Sequence, residues 1–114
     1  MTTRKPLPGE KVRGSETGRP TMALLDLLGR RQTLRVLWEL RGGELTFREL
    51  QSRCDNPSPT VLNKRLAELR AGYIVEHTNG KGYGLTKPGK TLLKSLAPLA
   101  GWAEKWEKLI KENK

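Results

Sequence analysis

Residues 58–86 have the sequence SPTVLNKRLAELRAGYIVEHTNGKGYGLT, in which a helix is followed directly by a β-hairpin. Ser58 and Pro59 begin the helix, because a serine hydroxyl accepts a backbone N–H at the cap and proline needs no N–H at the first helical position. Gly72 can take the left-handed conformation that closes a helix, so we predict that the helix ends near Ala71. This order of elements decides the fold.

The second half of the stretch predicts two short strands. Residues 73–77 are rich in β-forming side chains, Asn79–Gly80 is a strong tight-turn signal, and residues 83–86 form the returning strand. Lys81 lies at the hairpin tip, where the glycines on both sides of it allow the backbone to approach a ligand closely.

The helix has an apolar side and a polar side. Leu62, Leu66 and Leu69 lie at i, i+4 and i+7, so we expect them to face the core. The opposite side is short, polar and positively charged, and it consists of Thr60, Asn63, Lys64 and Ala67.

Three helices are predicted before this stretch. The first begins at Thr21 and ends at Gly29, and its apolar face consists of Leu24, Leu25 and Leu28. The second extends over about residues 31–40, and its broad apolar face consists of Leu34, Val36, Leu37, Trp38 and Leu40. The third follows a brief strand at Leu45. It has the capping-box pattern, with Glu49 three residues after the capping Thr46, and extends to about Arg53.

A long C-terminal helix follows the hairpin, with Thr86 as its cap. Its apolar residues recur every three or four positions and form the seam expected of a helix that packs along another: Leu92, Leu96, Leu99, Ala103, Trp106 and Ile110. About 24 residues at roughly 1.5 Å each give a helix of about 36 Å, longer than one small core can cover. We therefore predict that a partner subunit covers it. Pro98 is expected to bend this helix without breaking it.

The predicted architecture is mainly α with a small β-hairpin (α+β), a winged helix-turn-helix with a long C-terminal dimerisation helix. We divide the chain into a disordered basic tail at 1–20, the winged helix-turn-helix at 21–87 and the dimerisation helix at 88–114. The tail has five basic and two acidic residues, so it is either an arm for a DNA minor groove or a solvated tail without fixed contacts.

Composition limits the function. The chain has 114 residues, enough for one domain, and 22 Lys and Arg against 12 Asp and Glu give a net charge of +10. Such a balance favours an acidic partner, either nucleic acid or an anionic membrane surface. No segment has the roughly 20 apolar residues of a membrane span, so a cytoplasmic location is expected. Neither a cofactor nor a ligand pocket is indicated.

One motif points elsewhere. Residues 84–91, GLTKPGKT, match the phosphate-loop pattern G-x-x-x-x-G-K-[ST], which would indicate a nucleotide hydrolase. That motif requires a buried strand of a parallel sheet before it, and no such strand precedes Gly84. We interpret the match as a coincidence at the junction between the hairpin and the long helix.

The ordered series of motifs resembles the HxlR-type bacterial transcriptional regulators over about residues 24–106. It consists of LG at 28–29, the apolar run at 34–40, TFREL at 46–50, SP at 58–59 and the run to Leu62, KRL at 64–66, EL at 68–69, GYIV at 72–75, YGLT at 83–86, Gly89 and a downstream tryptophan. The resemblance implies homodimers that bind inverted-repeat operators in double-stranded DNA. In that family the hairpin ends in Tyr-x-Leu-Thr, which also accounts for the phosphate-loop match.

The candidate DNA contacts lie on three elements: Arg48, Ser58, Thr60, Asn63, Lys64, Arg65 and Lys81. Thr60, Asn63 and Lys64 can read bases, because Asn pairs with adenine, Lys with guanine and the Thr methyl with thymine. Ser58, Arg48 and Lys81 suit phosphates. A solvated surface remains the competing interpretation for this set. Arg65, at the edge of the core face, contacts either a phosphate or a carboxylate within the protein.

Cys54 and His77 are each the only residue of their type. The family resemblance includes thiol sensors, but their cysteine lies before the first helix, where this chain has none. We therefore expect Cys54 to fill apolar space, and His77 to be structural. Two functions remain open: a dimeric DNA-binding regulator, and a winged-helix module whose recognition face meets another protein.

Overall fold

The computed structural model describes residues 7–8, 19–79 and 81–114. Among these residues the helices and strands follow the predicted order: α1 (Pro20–Leu28), α2 (Thr33–Glu39), a 3-10 turn (Leu40–Gly42), α3 (Phe47–Arg53), α4 (Pro59–Ala71), β1 (Val75–Thr78), β2 (Gly82–Leu85), α5 (Lys87–Leu96) and α6 (Pro98–Glu112). The predicted tail at 1–20 lies mostly outside the described residues. Of the tail, Leu7 is half-buried and lies beside Gly72.

Helix α1 buries a different face from the predicted one. Ala23 and Leu27, four residues apart, are buried, whereas Leu25 is 56% exposed. Leu24 and Leu28 flank the buried pair and are half-buried. Leu25 and Leu27 are two positions apart, which is about 200° around a helix, so they cannot share a face. Leucines at four positions allow several apolar stripes, and only the tertiary contacts select among them.

Helix α2 and the turn after it supply the centre of the core. Val36, Leu37 and Leu40 are buried as predicted, but Leu34 and Trp38 are about half exposed. The remaining buried apolar residues of the core come from every other element up to β2: Leu27, Leu45, Leu50, Cys54, Leu62, Leu66, Leu69, Val75 and Leu85. The predicted apolar face of α2 is therefore only partly used within the subunit.

Helices α3 and α4 both begin at the predicted caps. The Thr46 hydroxyl accepts the Glu49 backbone N–H at 3.1 Å, and the Glu49 carboxylate accepts the Thr46 N–H at 2.9 Å, which completes the capping box. The Ser58 hydroxyl accepts the Val61 N–H at 3.2 Å. These reciprocal bonds satisfy backbone donors that a helix start leaves without partners, and they fix where each helix begins.

The end of α4 differs from the prediction. Gly72 has a φ of −86°, and the left-handed residue is Tyr73, with a φ of 59°. The Ile74 N–H bonds to the Leu69 carbonyl at 3.0 Å and the Tyr73 N–H to the Arg70 carbonyl at 3.0 Å, the two bonds of a Schellman motif. The left-handed position thus lies one residue later than glycine, and Tyr73 stays outside the strand that we predicted from residue 73.

The hairpin is antiparallel, with Val75 opposite Leu85 and His77 opposite Tyr83. Leu45 forms the brief strand expected before α3, since its N–H and carbonyl both bond to Tyr83, at 3.0 and 2.8 Å. Gly82 has a φ of 148°, and a Cβ there would lie 2.6 Å from the Leu45 carbonyl oxygen. Glycine is therefore required at that crossing, while the turn residue Gly80 lies outside the described residues.

The predicted long C-terminal helix consists of two helices that meet at Ala97. Pro98 has no N–H to donate, so the ladder of backbone hydrogen bonds is interrupted there, and the Ala97 N–H is shared between the Leu93 and Lys94 carbonyls. Ala97 keeps helical dihedral angles, with φ −54° and ψ −40°. Pro98 therefore divides the helix, which we had predicted only to bend, without reversing the chain.

The phosphate-loop match is explained by the geometry of the hairpin and α5. Gly84 lies in β2, and Thr86 caps α5 by accepting the Gly89 N–H at 3.0 Å. A Cβ on Gly89 would lie 2.1 Å from the Ile74 carbonyl oxygen. The glycine thus permits α5 to pack against the start of the hairpin, so packing alone accounts for it. Within the described residues no helix is both long and apolar enough to span a membrane.

Candidate nucleic-acid interface

The outer side of α4 is exposed as predicted. Ser58, Thr60, Asn63, Lys64 and Ala67 are all open to solvent, while the three leucines of the opposite side are buried. Ser58 lies at the helix N-terminus, where backbone N–H groups and the helix dipole favour a negatively charged group. The helix therefore presents a polar surface, backed by a rigid core.

A cleft of about 390 Å³, which we call the wing cleft, joins this surface to the hairpin. Asn63 of α4 lines one side, Lys81 and Gly82 of the hairpin line another, and Thr46 and Phe47 at the start of α3 complete it. The structure thus brings together two residues that the sequence placed on separate elements, Asn63 and Lys81. Arg48 is also exposed, one position after Phe47, but does not line the cleft.

Two aromatic residues of the hairpin line the cleft, and the sequence indicated no binding role for either. His77 and Tyr83 line the wing cleft and stack on each other, with ring centroids 4.3 Å apart and planes 11° from parallel. This cross-strand pair stabilises the hairpin, in line with the structural role expected of His77. The sequence alone could have indicated this contact, because the register of the predicted hairpin places His77 opposite Tyr83.

Arg65 takes the intramolecular alternative. Its guanidinium donates to the Glu68 carboxylate at 2.6 Å, and its side chain is only 14% exposed. The other Glu68 oxygen accepts from Arg30, which also pairs with Asp26 at 3.0 Å. Glu68 thus connects α4 to α1 and the turn after it. Sequence reasoning missed this cluster because Arg30 and Glu68 lie 38 positions apart.

Two ionisable groups near the motif have perturbed pKa values. The backbone N–H and then the side chain of Thr46 lower the pKa of the Glu49 carboxyl. Burial raises the pKa of the Cys54 thiol, which is 1% exposed at the end of α3. Cys54 therefore fills apolar space as expected, and burial disfavours the reactive thiolate.

The predicted dimer seam divides at Ala97. Leu92 and Leu96 of α5 are half-buried within the subunit, and Leu92 packs against the core. The four seam residues of α6 are exposed, namely Leu99, Ala103, Trp106 and Ile110. Trp102 stacks on Trp106 with centroids 5.7 Å apart, and it is 62% exposed. Helix α6 therefore carries a large apolar surface that the described part of the chain does not cover.

Proteins described as HTH-type transcriptional regulators have similar sequences. The family model for HxlR-like helix-turn-helix proteins matches residues 27–111. YvaP, an HTH-type transcriptional regulator of Bacillus subtilis, is 31% identical over 88 residues, which are 72% of this chain and 82% of YvaP. An HTH-type transcriptional regulator of Methanocaldococcus jannaschii is 27% identical over 90 residues, which are 75% of this chain and 84% of the relative.

Solved structures have a similar fold. The crystal structure of quinone-bound YodB from Bacillus subtilis matches with a TM-score of 0.70 and 28% identity, covering 75% of this chain and 96% of YodB. A possible HxlR family transcriptional factor from Thermoplasma volcanium matches with a TM-score of 0.67 and 27% identity, covering 78% of this chain and 85% of that protein. These matches confirm the predicted winged helix-turn-helix.

Proposed function

Because the chain belongs to the HxlR-like helix-turn-helix family, it is a transcriptional regulator and not an enzyme, and we propose that it acts as a homodimer on an inverted-repeat operator in double-stranded DNA. Helix α4 enters the major groove, and the hairpin lies along the adjacent backbone. The observation that carries this proposal is the wing cleft, where Asn63 and Lys81 face one space. The site of action is then the cytoplasm, where the DNA lies.

The exposed side chains divide into base-reading and phosphate-binding groups. Thr60, Asn63 and Lys64 read base edges, since they lie on the outer side of α4. Ser58, Arg48 and Lys81 bind phosphates and set the position of α4 in the groove. Arg65 is left out of the contact set, because Glu68 already holds its guanidinium. Its role in this proposal is to hold α4 in place.

The dimer proposal rests on the uncovered apolar surface of α6. Trp102, Trp106, Leu109 and Ile110 are each 46–62% exposed, which is a large apolar area for one 15-residue helix. A second copy covers it when the two α6 helices pack along each other. Twofold symmetry then presents two α4 helices to successive major grooves, about 34 Å apart.

Measurements of DNA affinity test the proposal. Fluorescence anisotropy of a duplex selected from random DNA, measured at several salt concentrations, should show specific binding at least about a thousandfold tighter than binding to random DNA. Affinity should fall as salt rises, because phosphate contacts release counterions. Equal affinity for both duplexes, or no salt dependence, contradicts the proposal and favours a module that binds another protein.

Two substitutions separate the assigned roles. Asn63→Ala should reduce the ratio of specific to random affinity, by about 1–3 kcal/mol in discrimination, because a base contact is lost. Lys81→Ala should weaken both duplexes alike and reduce the salt slope by about one, because a phosphate contact is lost. Lys105→Ala on α6 removes the same charge outside the wing cleft and serves as the control. An equal loss of specificity from Asn63→Ala and Lys81→Ala contradicts these roles.

A further inference from the structure

A second cleft lies between α2, the 3-10 turn after it, the end of β2, α5 and the start of α6. We call it the hinge cleft, because Ala97 lies in its wall. Its volume is about 670 Å³, within the roughly 300–1,000 Å³ typical of small-molecule sites. Its apolar lining includes Leu34, Trp38 and Leu93, together with Leu96 and Leu99, which also belong to the predicted dimer seam. It shares no residue with the wing cleft.

Charge at the hinge cleft has one sign. Arg41, Lys90 and Lys94 line it, and no acidic side chain does so among the described residues. The Arg41 guanidinium lies 3.7 Å from the centroid of the Trp38 ring and donates to the Trp38 carbonyl at 2.9 Å. Lys90 and Lys94 are one turn apart on α5, so both amines lie on the same side of that helix. The cleft therefore combines three cations, one of which is held by its contacts with Trp38, with an apolar interior.

We propose that the hinge cleft binds an apolar organic anion, with an aromatic or aliphatic body and a carboxylate or similar group. The body contacts Leu34, Trp38 and Leu93, which removes apolar area from water. The acid group lies among the three cations, where charge-assisted hydrogen bonds are strong. A second copy of α6 suits these cations less well, because α6 has three acidic and three basic residues and so brings no net negative charge.

The position of the cleft implies a regulatory effect. Leu93 precedes the break at Ala97 and Leu99 follows it, while Leu34 belongs to α2 in the DNA-binding part. An anion in the cleft contacts both sides of the break, so it favours one angle between α5 and α6. When DNA binding also favours one of these angles, the anion changes the affinity for DNA by the same factor as DNA changes the affinity for the anion. This coupling, unlike the binding itself, rests on the proposed dimeric DNA-binding function.

A matched pair of dyes tests the site without DNA. 1-Anilinonaphthalene-8-sulfonate (ANS) carries a sulfonate, and N-phenyl-1-naphthylamine has the same apolar body without charge. We expect saturable 1:1 binding of ANS by the folded protein. In the variant Lys90→Gln with Lys94→Gln, the Kd for ANS should rise about tenfold while the Kd for the neutral dye stays within about twofold. Equal changes for the two dyes overturn the proposal.

Further variants serve as controls. Lys105→Gln with Lys108→Gln removes the same charge from α6 outside the cleft and should leave ANS binding unchanged; a tenfold loss there overturns the proposal. Leu34→Glu places an acid in the cleft at a residue that is 48% exposed, so folding should be retained and ANS affinity lost. If ANS affinity falls as protein concentration rises through the monomer-dimer range, a second copy occupies the cleft and the proposal is wrong.

The coupling has a separate measurement. In the wild-type protein, saturating ANS should change the affinity for the operator. In the variant with Lys90 and Lys94 replaced, ANS should leave that affinity unchanged. Unchanged affinity in both proteins, together with normal ANS binding, refutes the regulatory effect and leaves the site. If the wild-type protein shows no specific DNA binding in the absence of ANS, the proposed function is refuted instead. The two failures are therefore distinguishable.

Discussion

Helices α4 and α6 have similar lengths, 13 and 15 residues, but bury their apolar sides differently. Helix α4 places Leu62, Leu66 and Leu69 in the core, each at most 2% exposed. Helix α6 has none of its residues buried within the described chain. The comparison shows that an apolar periodicity indicates a face to be covered, without indicating whether the same subunit covers it.

The difference also concerns stability. Isolated helices of this length are marginal in water, so each needs packing to persist. For α4 the packing lies within the subunit, so it does not require a second copy. For α6 the packing partner is a second copy in our proposal, and its order should increase with concentration.

The largest expected effect comes from the buried side of α4. Leu66→Ala should lower the free energy of unfolding by about 3 kcal/mol, because it removes buried methyl groups and leaves a cavity. Leu109→Ala, on the exposed side of α6, should change it by less than about 0.5 kcal/mol in dilute protein. Urea denaturation followed by circular dichroism measures both. Similar losses from the two variants would show that α6 is already packed within the monomer.

Removing the charge of Glu68 should have the next largest effect. Glu68→Gln leaves Arg30 and Arg65 without their shared carboxylate at a site where Glu68 is 7% exposed, so we expect a loss of about 2 kcal/mol. The same urea measurement tests this, with Glu107→Gln as the control, because the exposed pair between Glu107 and Lys111 on α6 is worth little. A loss below about 0.5 kcal/mol for Glu68→Gln would show that the cluster does not hold α4.

An effect on assembly should follow from the apolar side of α6. Trp106→Ala should raise the dimer dissociation constant by about tenfold or more, because aromatic residues near an interface centre dominate binding energy. Sedimentation velocity over a range of concentrations measures this constant. The variant Lys105→Ala provides the control. A wild-type protein that stays monomeric, or a variant that dimerises equally well, would remove α6 from the interface.

The smallest effect concerns how the helices begin. Helix α6 has no side-chain cap, whereas α3 has the Thr46–Glu49 box. Since the folded pKa of Glu49 lies below its ordinary value, its stabilisation is present above the ordinary pKa near 4.5 and is lost as pH falls through the folded pKa. Melting temperatures of the wild type and Glu49→Gln should therefore differ at pH 6, and the difference should shrink as the pH falls below 4.5. A constant difference would exclude this linkage.

Local chemistry accounts for what the sequence predicted well. The Thr46 and Ser58 caps, the leucine face of α4 and the strand order of the hairpin each depend on residues within a few positions of one another. Asn63, Thr60 and Lys64 were correctly placed on an exposed face by helical periodicity alone. Their roles in binding DNA stay predictions.

The differences have tertiary causes. The left-handed residue at the end of α4 is Tyr73 and not Gly72, because the position is set by which carbonyls the Ile74 and Tyr73 N–H groups reach. The Glu68 carboxylate binds Arg65 and Arg30, and Arg30 lies in a distant part of the chain. The hinge cleft was also not foreseen, since its walls come from five elements whose packing no local pattern specifies.

The close contact between Gly89 and the Ile74 carbonyl has a consequence for searches of protein sequences. A chain with this junction must keep a glycine there whatever residues surround it, and in this chain Lys90 and Thr91 follow it and complete the end of the nucleotide-binding pattern. Nucleotide-binding patterns will therefore arise in such chains through neutral drift. When a short sequence pattern is used to search genomes, such matches are false positives. The antiparallel hairpin before the match identifies them.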